Sequence, residues 1–388
     1  MVTILDGLIY LAIFWLVLLY LSSRINFQRF NLLIAPLIIV WRTERFIGLI
    51  KKISGSRFQK FWRKIGDGSS IIYITLFAVL PIVLLINIFK ALLGNPSAIL
   101  GENPINFIDS SVLIIILPIF FALFVHEFAK LIMALAEDAE IEKVGLMVVV
   151  AIIAPFVQLA NKSVKKLKRR PRIRILTIGM FANLILAMMF IPMLTNQDRI
   201  VSIFYDEPSG AMIIGLDTNS PASFSLQRGD VIIGIQRTQL NTIISSQEIN
   251  SSAQFVSAMR VIPPGESFIL VLQTFKLTLK GDLPPPDAQI TLGSYIGIEV
   301  YDYRESKYDF LSPLTPFYFE EFIIWSISIN LILGLFNVLP IPFSDGEKLL
   351  DELIDGFQIK KAERANLKRL AFSISILLLA MNIRYTFL

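Results

Sequence analysis

The sequence predicts an α-helical polytopic membrane protein of about six transmembrane helices, with a β-rich domain inserted between the fourth and the fifth. Three observations lead there. The chain of 388 residues is 54% hydrophobic and only 17% charged, with a mean hydropathy of +0.65, far from the balance of a soluble protein. Six apolar runs approach the about 20 residues needed to cross a hydrocarbon layer of roughly 30 Å. Residues 195–320, by contrast, are polar and broken into short strand-like pieces.

The runs expected to span are 4–22, 71–93, 111–135 and 173–194, forming the first part of a membrane domain over 1–194. Runs 322–343 and 370–388 form its second part over 321–388, the last with Arg384 near its end. The N-terminal MVTILD lacks a basic region and no small-residue cleavage site follows the first run, so residues 7–21 are expected to remain as an anchor. A seventh run, NLLIAPLIIVW from Asn31 to Trp41, is too short to span and carries Pro36. It is expected to lie in the interface or pack on the helices.

Lys and Arg set the orientation. Residues 23–69 hold ten of them, including Arg42, Arg45, Lys51, Lys52, Arg63 and Lys64, whereas 94–110 hold none. NKSVKKLKRRPRIR after the third span and 347–369 after the fifth are dense again. The three basic loops fall on one side, the cytoplasm, which leaves both termini and 195–320 outside. A net charge of +5 distributed in this way points to the lipid bilayer as partner and away from nucleic acid. Cysteine is absent, which excludes a disulfide framework or a thiolate metal site. Within 195–320, GAMIIGL, DVIIGIQ and ESFILVLQ are bounded by turn residues, and LPPPDAQ at 283–289 reads as a stiff loop.

The chemistry concentrates in FVHEFAK, residues 124–130. His126, the only histidine, and Glu127 lie fifteen and sixteen residues into the third span. That places them roughly 22 to 24 Å from its outer end, where an ionisable pair is costly and faces a bundle interior or a water-filled cavity. A polar pair bonded to a neighbouring helix is the plain alternative. The fifth span ends NVLPIPFSDG, where Pro340 and Pro342 must break the helix and bring Asp345 to the same cytoplasmic half. Asp345 could equally cap the helix expected from Glu347.

Together these segments resemble the site-2 protease family of intramembrane zinc metalloproteases. The resemblance rests on FVHEFAK, on GLMVVVAIIAPFVQ from Gly145 as that family's membrane-associated strand region, on GMFANLILA, and on FNVLPIPFSDG. SPASFSLQRGDVIIGIQ and FVSAMRVIPPGESFILVL resemble the PDZ domain that many members carry between these spans. The resemblance implies a multi-pass protein of a prokaryotic plasma membrane with its PDZ-like domain extracytoplasmic. Its partners would be a transmembrane protein substrate or client and a peptide ligand of the PDZ-like domain. It further implies that His126 and Asp345 bind zinc, that Glu127 is the catalytic base activating a water, and that Asn183 helps hold an unwound substrate. Asn183 could alternatively make only an interhelical hydrogen bond.

One position departs from the family. His-Glu-x-x-His places two imidazoles on one helical face at i and i+4, and the fifth position here is Lys130. A protonated lysine has no lone pair to give zinc, and two protein ligands are fewer than the three of a usual catalytic site. Glu137, Asp138 and Glu140 are the remaining donors nearby, two to three turns along and expected at the cytoplasmic interface. The ammonium of Lys130 can instead stand where the metal would and pair with Glu127 and Asp345. The leading expectation is therefore a scaffold that binds transmembrane segments without zinc-dependent hydrolysis. The alternative is an active metalloendopeptidase using His126, Asp345 and a third ligand outside the motif. A transporter is disfavoured by the lack of an inverted repeat.

Overall fold

The computed structural model describes residues 4–43, 58–93, 112–150, 152–217, 220–239, 242–282, 294–355, 357 and 359–387. LPPPDAQ at 283–289, the 94–110 loop, and Arg45, Lys51 and Lys52 lie outside the described residues. The chain divides into two compact units, Met1–Pro192 with Phe322–Leu388, and Met193–Glu321.

The first unit is built on helices: α1 (Ile4–Arg24), α2 (Gln59–Leu92), α3 (Val112–Ala136), a short α4 (Asn161–Lys166) and α5 (Arg169–Thr195), then α8 (Thr315–Val338), α9 (Asp345–Ile354) and α10 (Lys361–Phe387). Among the described residues, α2, α3, α5 and α8 are long and apolar enough to cross a membrane. The runs expected as first and sixth spans are helical, α1 and α10, but do not belong to these four. α2 starts twelve residues before the expected span because Trp62 and Ile65 pack onto Met133 and Ile175, extending the helix past its apolar run. Pro340 and Pro342 follow the end of α8 at Val338, as the loss of backbone N–H groups and the ring clash require. A core of Tyr73, Leu84, Met180, Leu339, Leu349 and Leu378 joins α2, α5, the end of α8, α9 and α10.

The run NLLIAPLIIVW takes a form more specific than an interfacial segment. Leu32–Ala35 (β1) and Ile38–Thr43 (β2) form a hairpin that turns at Pro36 and Leu37, the latter with φ 61°. β2 pairs with Ile141–Val149 (β3), which pairs with Ile152–Leu159 (β4), giving an antiparallel sheet in the order β1-β2-β3-β4. Val150, at the second turn, donates its N–H to Leu37 O at 2.9 Å, so the two hairpin tips are tied together. The indole of Trp15 on α1 donates to Val150 O at 3.0 Å.

The second unit holds α6 (Gln197–Val201), β5 (Gly210–Leu216), β6 (Val231–Gln239), β7 (Thr242–Glu248), α7 (Ser252–Arg260), β8 (Ser267–Leu272), β9 (Lys276–Lys280) and β10 (Ile298–Tyr303). GAMIIGL, DVIIGIQ and ESFILVLQ fall on β5, β6 and β8. The sheet runs β10-β5-β6-β8-β9, with β7 also on β6. Ser251 caps α7 by accepting Gln254 N–H, and Phe255 and Met259 carry the helix onto Ile213, Ile232, Phe268 and Leu270.

Candidate functional site

The site lies where α3 meets the N-terminus of α9. His126, Glu127 and Lys130 share one face of α3 by their i, i+1 and i+4 spacing. Asp345 opens α9 directly below the Pro-rich turn after α8. Ser344, not Asp345, is the N-cap: its hydroxyl accepts the Glu347 N–H at 3.1 Å. The capping role thus falls to the residue before Asp345, whose own side chain is free to face α3. Glycine at 346 makes this approach sterically feasible, since a Cβ there would stand 2.4 Å from the carbonyl oxygens of Val338 and Leu339.

Around Asp345 the contacts are short. Lys130 Nζ lies 2.6 Å from Asp345 Oδ2 and 3.5 Å from Glu127 Oε1. His126 Nε2 lies 3.2 Å from the same Asp345 oxygen. Lys348 Nζ, one turn into α9, stands 3.4 Å from Asp345 Oδ1. The other oxygen of Glu127 accepts the Val157 N–H of β4 at 3.2 Å. Asp345 and His126 are buried, at 2% and 5% exposure. His126 Nδ1 is buried without a hydrogen-bond partner among the described residues, and the ring sits against α5, where a Cβ on Gly179 would come within 2.7 Å of it.

Asn183, one turn beyond Gly179, is fully buried but outside this cluster. Neither its Nδ2 nor its Oδ1 has a hydrogen-bond partner among the described residues. Glu137 is buried at 5% exposure. It binds Arg174 at 2.7 Å and Arg63 at 3.4 Å, while Asp138 binds Arg63 at 3.0 Å. Those two carboxylates are engaged by arginines away from Lys130. Beside Glu127, a cavity of about 380 Å³ opens between α3 and the sheet, lined by Trp41, Phe120, Phe124, Phe128 and Phe156 among others.

Lys348, Gly179 and the Val157 amide were not singled out from the sequence. Lys348 carried a readable signal, its i+3 spacing from Asp345. The other two depend on contacts between distant segments, which no local pattern encodes.

A model of Peptidase family M50, the site-2 protease family, matches residues 114–382 and so takes in α3, the strand region, the inserted unit and the α8–α9 junction. The chain belongs to Peptidase family M50. It is also 26% identical over 347 residues to a protein of Methanocaldococcus jannaschii described as uncharacterized, covering 87% of this chain and 82% of that one. M50 peptidases are zinc metalloproteases, and their membership makes this chain a multi-pass metalloprotease scaffold. As a catalytic zinc site the donor set does not fit. The Asp345 carboxylate only accepts, so at 3.2 Å His126 Nε2 donates its N–H to Asp345 Oδ2 and has no lone pair there for a metal, and Lys130 is an ammonium that can only donate.

Proposed function

We propose that this chain is a metal-independent, proteolytically silent member of its family that holds transmembrane segments of client proteins without cleaving them. The observation that carries this reading is the Lys130–Asp345 pair at 2.6 Å. Two lysines, Lys130 and Lys348, face two carboxylates, Glu127 and Asp345, so the cluster balances its charge without a divalent ion. Glu127, which a metalloprotease would use as base, is engaged on one side by Lys130 and on the other by the Val157 amide. A carboxylate held by two donors is a structural acceptor rather than a base poised beside a metal-bound water.

In this reading the aromatic-lined cavity beside Glu127 receives side chains of an unwound client segment. The domain boundaries 1–194, 195–320 and 321–388 belong to the same proposal. So does the identification of the inserted unit as a PDZ-like domain outside the cytoplasm, taking a peptide ligand by strand addition, in a prokaryotic plasma membrane. Elemental analysis of protein purified without chelators is the test. Well under one zinc per chain is expected, and about one tightly held zinc per chain would overturn the proposal in favour of an active enzyme with a further ligand.

A further inference from the structure

We propose that α4 and the first turn of α5 form a binding surface for anionic phospholipid headgroups. Between Glu142 and Asp198 the chain carries nine Lys and Arg residues and no Asp or Glu. The structure sorts those at the α4–α5 corner into two groups. Arg170 binds Asp67 at 2.8 Å, Arg172 binds Glu352 at 2.8 Å, and Arg174 binds Asp67 and Glu137, each at 2.7 Å. Lys162, Lys165, Lys166, Lys168 and Arg169 are exposed and have no ion pair among the described residues. Cations needed for helix packing are thus neutralised, and the outward ones are left unneutralised on a single corner.

That corner is fixed in place. Ser163 is buried and its hydroxyl accepts the Glu140 N–H at 2.9 Å, while Leu167 packs against Met133 and Ile178. Its depth follows from α5, a helix long and apolar enough to cross a membrane, whose first turn begins at Arg169 directly after α4, so the corner stands at the polar end of that helix, where headgroups lie. Five uncompensated cations on a fixed corner at that level match the negative surface potential of an anionic leaflet.

The test uses the full chain in detergent with defined mixtures of phosphatidylglycerol and phosphatidylcholine, counting retained lipids by native mass spectrometry. Preferential retention of phosphatidylglycerol is expected, with a loss of at least about tenfold in that preference when Lys162, Lys165, Lys166, Lys168 and Arg169 are all changed to glutamine. Changing the four lysines to arginine should preserve it. If the glutamine variant does not fold, raising salt from 0.1 to 0.5 M with the native chain reads the same charge dependence, and the preference should fall. Equal retention of the two lipids, a preference untouched by both the substitutions and salt, or displacement of phosphatidylglycerol by equimolar inorganic phosphate would overturn the proposal.

Discussion

Lys130 is the residue on which the chemistry turns, because its ammonium sits 2.6 Å from a carboxylate that is only 2% exposed. Removing one partner of a buried pair typically costs about 3 to 5 kcal/mol. Lys130→Met should therefore lower the thermal unfolding temperature markedly, and chelator should make no difference. An unchanged midpoint would mean that something other than the ammonium balances Asp345. Lys130→His is the complementary change. It rebuilds the i, i+4 imidazole pair and frees Glu127 from its ammonium neighbour, so zinc should be gained to about one per chain, read by metal analysis. A folded Lys130→His protein that remains zinc-free would show that the pocket has changed in more than one ligand. The convergence of His126, Glu127 and Asp345 was legible because helix periodicity and charge-based orientation both act locally. That Asn183 has no hydrogen-bond partner among the described residues was not legible, since such partners depend on which helix lies opposite.

At the scale of elements, the α8–α9 junction and the α9–α10 pair set the position of Asp345. Gly346→Ala would push a methyl group into the carbonyls of Val338 and Leu339 and should destabilise by about 1 to 3 kcal/mol, the usual range for overpacking. On the far face of α9, Asp351 is bound by Lys368 at 2.9 Å and by Arg364 at 2.9 Å. Burial works against its charge, but the hydrogen bonds from Lys368 and Arg364 more than offset this and hold its carboxyl below the usual carboxylate range. With the folded-state value depressed, the contribution is present above an unfolded value of about 4 and is lost as pH falls through the folded one. Hydrogen-exchange protection of α9 and α10, corrected for the intrinsic pH dependence of amide exchange, should thus be steady from neutrality to about pH 5 and lower below about pH 4, whereas Asp351→Asn should show the lower protection already at neutral pH. Exchange that ignores both pH and this substitution would remove Asp351 from the account. The helices were legible as apolar runs, and the end of α8 as a pair of prolines. The hairpin at Leu32–Thr43 was not, because a short continuous apolar run has no period that separates a buried strand from a helical piece, and only Pro36 marked its turn.

For the whole molecule, family and general architecture could be read from the chain because its motifs are ordered along it and the composition shifts sharply at the inserted unit. Topology is open to direct test, since the chain lacks cysteine. Phe224→Cys, at a residue 83% exposed in the second unit, should react with an impermeant thiol reagent applied from outside the cell; labelling only from the cytoplasmic face would reverse the proposed orientation. The second unit, which has its own core from Ile213 to Leu270, should unfold cooperatively when expressed alone, as followed by circular dichroism. The order of the four-stranded sheet has a further consequence during biosynthesis. β2 finds its partner β3 only after about a hundred more residues have been made, a delay of roughly 5 to 20 s at ordinary elongation rates. Until then the first hairpin has two strands and an unpaired edge, which is marginal in water and unfavourable in lipid. The nascent chain must therefore pass through a stage in which Ile38–Thr43 is sheltered by the insertion machinery or by neighbouring helices, and translation pauses in this interval should govern the yield of folded protein more strongly than pauses elsewhere.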